Sequence, residues 1–164
     1  MISHGKTSTS IPVCVAVLLA VASMTATAPA QADGGDQGGE VLSEINDMRA
    51  ANGCGPVVAN PELTAAAERH AYDVLDNGAM SHTGSDGSSP VQRVTDAGYA
   101  PYAALGEVVF WGTGSSGSPE AAVSWWMNSP GHRAVITDCG YTDAGFSAVS
   151  SGDMMTATGD FGRA

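Results

Sequence analysis

The sequence predicts an α+β fold. Helix patterns come early along the chain and strand patterns come late, with one strand between the third and the fourth helix. This order favours helices packed on a mostly antiparallel sheet. The sequence contains no internal repeat, and the 132 residues that follow residue 32 have the length of one domain with a core of its own.

The N-terminus has the features of a cleavable signal peptide. A polar stretch with one positive charge, Lys6, precedes the apolar run 11–22. That run is short for a membrane span, because a spanning helix needs about 20 apolar residues. Residues 30–32 (AQA) fit the small-x-small pattern before a cleavage point. We therefore expect residues 1–32 to be removed and the protein to be secreted, to the exterior or the cell envelope; a retained membrane anchor is the alternative.

The composition of residues 33–164 separates a short tail from the domain and limits the classes of partner that the protein can bind. Residues 33–39 (DGGDQGG) contain no apolar side chain and predict a disordered acidic tail, so the domain is expected to span residues 40–164. After residue 32, seventeen acids stand against five arginines and no lysine, a formal charge of −12. Such a surface repels phosphate backbones and anionic membranes, so no nucleic-acid partner is expected. A monomer that is not inserted in a membrane is the default expectation.

Two helices are predicted in the first half of the domain. Apolar residues recur at three-residue steps over 41–52, which predicts the first helix. The second begins with Asn60 as its N-cap and Pro61 in the first turn, and it ends at residues 77–78 (NG). His70 lies near the apolar stripe of this helix, so we expect it to be a partly buried structural residue.

Two further helices and three strands follow. Ser89 and Ser118 each precede a proline, and each pair predicts the start of a helix. Residues 128–131 (NSPG) predict the end of the second of these helices. A Gly/Ser stretch over 112–117 predicts a flexible loop. The predicted strands cover 105–111, 144–149 and 155–161, with a turn at 150–153 between the last two.

The cysteines predict one disulfide. Cys14 lies in the apolar run and leaves with the signal peptide. Cys54 and Cys139 remain, and an even pair in an exported protein indicates a bond between them, closing a loop of 85 residues. Two buried free thiols are the alternative.

Two histidines and one glutamate are the candidate site residues. His82 and His132 each lie at a glycine-containing turn after a helix, where packing gives little reason for an imidazole. Glu107 follows Gly106 at the opening of a strand. Imidazole is the commonest side-chain metal ligand and the general base available near neutral pH. Spacing alone leaves open that these are three unrelated surface groups.

The motifs INDMRAANGCGPVVANPEL, SHTGSDGSSPVQR, GEVV and AAVSWWMNSPGHRAVI follow one another in this order. In this order they resemble the CAP superfamily of cysteine-rich secretory proteins, antigen 5 and pathogenesis-related 1 proteins, also called the SCP domain, over about residues 41–162. The resemblance implies an α-β-α sandwich, with helices on both faces of a short, mostly antiparallel sheet. It also implies a shallow cleft in which two histidines and two acids converge. His82, Glu107 and His132 occupy the positions of the first histidine, the first acid and the second histidine.

The sequence departs from the family pattern at two places. The usual Gly-Glu-Asn reads Gly-Glu-Val at residues 106–108, and no acid follows Trp126 within three residues. The second acid of the cleft is therefore missing from its usual position. Asp86, in the loop after His82, is a candidate substitute.

The resemblance implies a secreted binding module rather than an enzyme. His82, Glu107 and His132 would hold a divalent cation such as Zn²⁺, with a lipid or other small apolar ligand in the cleft, and no catalytic residue is assigned. One alternative is a metal-dependent hydrolase of peptides or cell-wall material, for which a metal-activated water is the available mechanism. The other is a structural or immunomodulatory surface protein with a vestigial site.

Overall fold

The structure, a computed structural model, describes residues 1–2 and 35–164. Apart from its first two residues, the predicted signal peptide lies outside this part, and so does Cys14. In chain order the described elements are α1 (Gly38–Ala51), β1 (Val58–Ala59), α2 (Pro61–Asn77), α3 (Pro90–Asp96), β2 (Ala104–Thr113), a 3₁₀ turn (Gly114–Ser116), α4 (Pro119–Asn128), α5 (Pro130–Ile136), β3 (Asp143–Ser151) and β4 (Met154–Arg163). Of the helices described, none has the length and apolarity that crossing a membrane requires.

The four strands form one mixed sheet in the order β1-β3-β4-β2. β4 pairs antiparallel with both β3 and β2, whereas the short β1 pairs parallel with β3. β3 and β4 form a hairpin whose turn uses Gly152 at a φ of 61°, a conformation that glycine adopts without a steric cost. The mixed sheet with its helices confirms the predicted α+β class.

Helices cover both faces of this sheet. On one face, the backbone of α2 at Thr64 lies so close to Gly145 of β3 that a side chain there would clash. On the other face, α1, α4 and α5 contribute Val41, Trp126 and Ile136 to the larger core. A smaller cluster joins Leu63, Ala66, Val94 and Tyr99 between α2 and α3. The predicted α-β-α sandwich is therefore confirmed.

The capping signals locate α2 correctly. The Asn60 side chain accepts a hydrogen bond from the Leu63 amide at 3.0 Å, and Gly78 ends the helix at a φ of 65°. Two elements were not predicted, β1 and α5. The prediction ended the helical region at residue 131, but Pro130 opens α5 as its first residue, and His132 lies in this helix rather than in a turn.

The predicted disordered tail differs from the structure at its C-terminal end. α1 begins at Gly38, two residues before the expected domain boundary. The Asp36 carboxylate accepts hydrogen bonds from the Ser147 hydroxyl at 2.7 Å and from the Ala148 amide at 2.8 Å. Composition could not reveal these bonds, because their donors lie more than a hundred residues away on β3.

The disulfide between Cys54 and Cys139 is present, as predicted, with Cα atoms 4.9 Å apart. It ties the end of α1 to the segment after α5. Arg49 reinforces the same junction, because its buried guanidinium donates to the carbonyl oxygens of Ile136 at 2.8 Å and Tyr141 at 3.0 Å. These bonds hold α5, and with it His132, against the body of the domain.

Candidate functional site

The site is centred on a hydrogen-bonded pair formed by His82 and Glu107. Nδ1 of His82 lies 2.7 Å from Oε1 of Glu107. Because an ionised carboxylate only accepts, Nδ1 carries the proton and Nε2 keeps its lone pair in the neutral ring. The His82 side chain is 54% exposed, whereas that of Glu107 is 3% exposed. A buried acid therefore orients a ring that faces solvent.

Arg93 holds the other oxygen of Glu107. Its Nη2 lies 2.5 Å from Oε2 of Glu107, and its side chain is 1% exposed. The same nitrogen donates to the His82 carbonyl oxygen at 3.1 Å, and Nη1 donates to the Ser88 carbonyl oxygen at 2.9 Å. One guanidinium thus fixes both the glutamate and the loop that carries His82. Sequence reasoning missed Arg93; the signal was an arginine inside a short helix next to the buried Val94.

His70 anchors the same loop from beneath. It is fully buried, and its Nε2 lies 2.7 Å from the Ser81 carbonyl oxygen, to which it donates. Burial lowers the pKa of His70, and the nearby Arg93 lowers that pKa further. The expectation of a structural role agrees with this position, although His70 is fully rather than partly buried.

α5 brings His132 to the cleft from the other side of β2. Its ring centroid lies 6.3 Å from that of His82, and its Nδ1 lies 2.9 Å from the Ser129 hydroxyl oxygen. The ring also packs against Trp125, with centroids 5.0 Å apart. The predicted convergence of His82, Glu107 and His132 is therefore observed, and Ser129 and Trp125 are partners that sequence reasoning missed.

The two histidines differ in proton affinity. The hydrogen bond that His82 donates to Glu107 raises the pKa of His82 above its usual value of 6.5, against a smaller opposing effect of burial. Burial lowers the pKa of His132, and the neighbouring His82 lowers it further. His132 therefore stays unprotonated, and able to bind a metal ion, to lower pH than His82. On acidification, His82 takes up a proton first.

A second buried acid, Asp160, lies beside Glu107. The two residues are direct partners across β2 and β4. Asp160 is 1% exposed, and its Oδ2 has no hydrogen-bond partner among the residues that the structure describes. Burial raises the pKa of Asp160 well above its usual value, and the charge of Glu107 raises it further. Sequence reasoning missed this residue; the signal was an acid inside a strand of small and apolar residues. Asp86, the candidate substitute, instead pairs with Arg69 on the surface at 2.8 Å.

A cavity of about 260 Å³ opens beside the pair, between α3 and the start of β2. Its apolar walls are Pro90, Val91, Val94 and Leu105, and its polar part consists of His82, Glu107 and Asp160. Small-molecule pockets span about 300–1,000 Å³, so this cavity suits a small ligand or one part of a larger one.

The predicted ligand set does not form a ready metal centre. Within residues 1–2 and 35–164, no group of three or more His, Cys, Asp or Glu side chains is arranged to hold an ion. Both oxygens of Glu107 are engaged by His82 and Arg93. The atoms left for a ligand are Nε2 of His82 and Nε2 of His132, for which the structure has no hydrogen-bond partner among the described side chains.

The family match covers the segments that form the site. Residues 42–161 match the model of CAP, the cysteine-rich secretory protein family. Over 117 residues the chain is 29% identical to the uncharacterized protein YkwD of Bacillus subtilis, covering 71% of this chain and 44% of that protein. The chain thus spans less than half the length of this relative.

Two solved structures share the fold. An outer surface protein of Borrelia burgdorferi has a TM-score of 0.67 at 20% identity, over 76% of this chain and 90% of that one. An extracellular protein of Bacillus anthracis that contains an SCP domain has a TM-score of 0.64 at 20% identity, over 77% of this chain and 40% of that one. At this identity the likeness concerns the fold alone.

Proposed function

The chain belongs to the cysteine-rich secretory protein family, CAP, and from this membership we propose that it is an extracellular binding domain whose cleft holds a divalent cation through His82 and His132. The family and the disulfide support the extracellular location, since disulfides persist in oxidising compartments. A fold neighbour is likewise described as an extracellular protein.

The carrying observation is that both imidazoles are oriented through Nδ1, which leaves Nε2 as the ligating atom of each ring. Glu107 accepts from Nδ1–H of His82, and the Ser129 hydroxyl oxygen can accept from Nδ1–H of His132. Metal-ligating histidines commonly donate their other ring N–H to a carboxylate, which fixes the ring and increases its basicity. His82, Glu107 and Arg93 have this arrangement, and the ring centroids lie 6.3 Å apart.

We propose a role for Glu107 that differs from the predicted direct ligation. A carboxylate that already accepts from Arg93 and His82 has little capacity left to bind an ion, and its side chain is 3% exposed. We therefore assign it to positioning His82 rather than to direct ligation. Loss of such a partner commonly weakens metal binding by about 10- to 100-fold.

The donor set fits an open, weakly held ion. Catalytic zinc sites usually have three protein ligands, and two imidazoles fall one short of that number. A bound ion would supply a Lewis-acidic point with free coordination positions, to which an anionic or carbonyl-bearing ligand can attach. Binding rather than catalysis is therefore the function that this site supports best, and Zn²⁺ is one of the ions that imidazole ligands suit.

The small apolar ligand of the sequence-based prediction has a place beside this site. The cavity of about 260 Å³ is walled by Val91, Val94 and Leu105 and reaches His82. An apolar group lying there would be adjacent to the ion, so one ligand with an apolar part and a metal-binding head could contact both.

Zinc titration by calorimetry tests this proposal on the protein exported by an expressing host. We expect one-site binding that is lost in the double variant His82→Ala/His132→Ala. Glu68→Gln is the matched control, because Glu68 is an exposed acid on α2 and tests for nonspecific attraction of cations to an acidic surface. Thermal denaturation of each variant verifies that it is folded.

Each outcome of the titration has a distinct meaning. Binding that is lost only in the double variant supports the metal site. Equal binding by all three proteins would refute histidine ligation. If no form binds zinc, the cation proposal fails, and the alternative of a vestigial site on a structural or immunomodulatory protein takes its place. Peptide hydrolysis that depends on both zinc and His132 would instead support the alternative of a hydrolase.

A further inference from the structure

Two exposed tryptophans mark a second cavity, near the C-terminal end of β2. Trp111 is 39% exposed and Trp125 is 46% exposed, although tryptophan is among the residues with most to gain from burial. Together with Phe110 they line a cavity of about 140 Å³. Within residues 35–164, the residues that line the cavity are these three aromatic ones, and none of them carries a charge.

The fold gives these residues opposite orientations about an edge strand. β2 is an edge strand of the sheet, and its neighbouring residues Phe110 and Trp111 lie on opposite faces, so the cavity that both line lies at the edge of the sheet. Phe110 packs edge-on against Trp126 of α4. Trp111 pairs with Thr156, whose hydroxyl donates to the Ala71 carbonyl oxygen of α2. Trp125 approaches from α4, with its ring 6.0 Å from that of Phe110.

Trp125 is not needed to complete the core, because its neighbour Trp126 fills that role. Trp126 is fully buried, and its indole N–H donates to the Val109 carbonyl oxygen at 3.0 Å. For Trp125, the structure shows ring contacts with Phe110 and His132 only, within the described residues. An indole left at the surface of a cavity, where packing does not require it, is available to a ligand.

The charge of the protein selects the sign of that ligand. The full chain has a formal charge of −11, with six basic residues against seventeen acids. Four of the five arginines of the domain already have partners or are buried: Arg49 and Arg93 are buried, Arg69 binds Asp86 and Asp96, and Arg133 donates to the Met127 carbonyl oxygen. An acidic protein attracts cations to its surface, and the negative faces of aromatic rings attract them at short range.

We propose that the cavity formed by Phe110, Trp111 and Trp125 is a binding site for a quaternary ammonium group of the trimethylammonium type. The methyl groups of such a cation contact the aromatic rings, and its diffuse charge is stabilised by their negative faces without hydrogen bonds. On this aromatic lining, a metal ion would find no ligands, and a primary ammonium group would find no acceptors for its N–H groups.

The volume agrees with this head group. A water-sized group occupies about 30 Å³ in a liquid, so 140 Å³ holds roughly four or five such groups. This is the size of the nitrogen of a trimethylammonium group with its attached carbons, whereas an acyl chain or a sterol would extend far outside the cavity. One lining residue, Trp125, also packs against His132 of the proposed metal cleft. The choline titration is therefore made with a chelator present, so that its outcome does not depend on a bound metal ion.

Calorimetric titration with choline tests the proposal on the exported protein. The matched ligand is 3,3-dimethylbutan-1-ol, which has the shape of choline with an uncharged carbon in place of the nitrogen. We expect saturable choline binding and binding of the neutral analogue roughly 10-fold weaker. Phosphatidylcholine vesicles, compared with vesicles in which phosphatidylethanolamine replaces part of that lipid, distinguish a membrane source of the head group from a free one.

Two variants examine the rings, and one serves as a control. Trp125→Leu and Trp111→Leu keep apolar volume and remove the aromatic face; each should weaken choline binding by about 3- to 30-fold. Tyr72→Leu removes a similarly exposed ring, 44% accessible on α2, and should leave binding unchanged. Because both tryptophans are partly exposed, the variants are expected to fold, and circular dichroism verifies this.

The proposal is overturned by any of three results. These are equal affinity for choline and its neutral analogue, choline binding that neither tryptophan substitution weakens, and a lack of response both to choline up to about 50 mM and to phosphatidylcholine vesicles. Binding to the vesicles alone, lost in Trp125→Leu, would support the site and identify the lipid as the source of the cation.

Discussion

Glu107→Gln is the substitution that most directly tests the organisation of the cleft. It preserves shape and removes the charge that faces Arg93, whose side chain is 1% exposed. Removing one partner of a buried ion pair costs about 3–5 kcal/mol, because the remaining charge is left without compensation. Here Asp160 is close enough to respond, since the charge of Glu107 raises its pKa and that of Arg93 lowers it.

The magnitude therefore depends on Asp160. Without Glu107, Asp160 loses its proton more easily and compensates Arg93, so we expect the single variant to lose about 1–3 kcal/mol of unfolding free energy rather than the full amount. Asp160→Asn alone should be neutral or stabilising at pH 7. An acid whose pKa is raised in the fold opposes folding as the pH rises above its unfolded value of about 3.8. The double variant should lose the full 3–5 kcal/mol or so.

Urea denaturation at pH 7, followed by circular dichroism, measures all three variants as a double-mutant cycle. Slopes against urea that match the wild type would show that the change is one of stability. A cost below about 1 kcal/mol for Glu107→Gln, or a double variant no less stable than Glu107→Gln alone, would show that Asp160 does not compensate Arg93 in this way. Zinc titration of the single variant adds an independent readout, with affinity expected to fall about 10- to 100-fold.

Three further predictions follow from the same structure. Zinc affinity should fall on acidification, beginning above pH 6.5, because the raised pKa of His82 lets protons compete with the ion first; calorimetry at several pH values checks this, and a constant affinity would exclude histidine ligation. Replacing Cys54 and Cys139 by serine should lower the unfolding free energy by up to about 4.5 kcal/mol in urea, from a loop of 85 residues, and an unchanged midpoint would contradict this. Gly145→Ala should destabilise by about 3 kcal/mol or more in thermal denaturation, because its methyl group meets the backbone of Thr64; a wild-type melting temperature would show that α2 can move aside.

Local chemistry in the sequence was sufficient for the elements with strong capping signals. Asn60 and Pro61 identified the start of α2, and Ser118 identified that of α4, because an N-cap acts within three residues of itself. Reliance on such local signals is also why α5 was missed. Ser129-Pro130 follows α4 directly, so a pattern that begins a helix was interpreted as one that ends it.

The resemblance to the family supplied what spacing could not. His82, Glu107 and His132 follow one another at intervals of 25 residues, so no local sequence motif joins them. Their ordered motifs predicted a common cleft, and the structure places the two rings on either side of β2 with centroids 6.3 Å apart. The ligand set and the metal itself stay predictions.

The sequence by itself determined the α+β class through its periodicity and helix caps, and the cysteine pair through its even count in an exported chain. The family resemblance added the histidines of the cleft. Only the tertiary structure decided the environment of Glu107. Arg93 comes from α3 and Asp160 from β4, and the pairing of β2 with β4 brings both to one buried carboxylate. The energy of a charge depends on its burial and on its partners in space. Neither property can be read from a position along the chain.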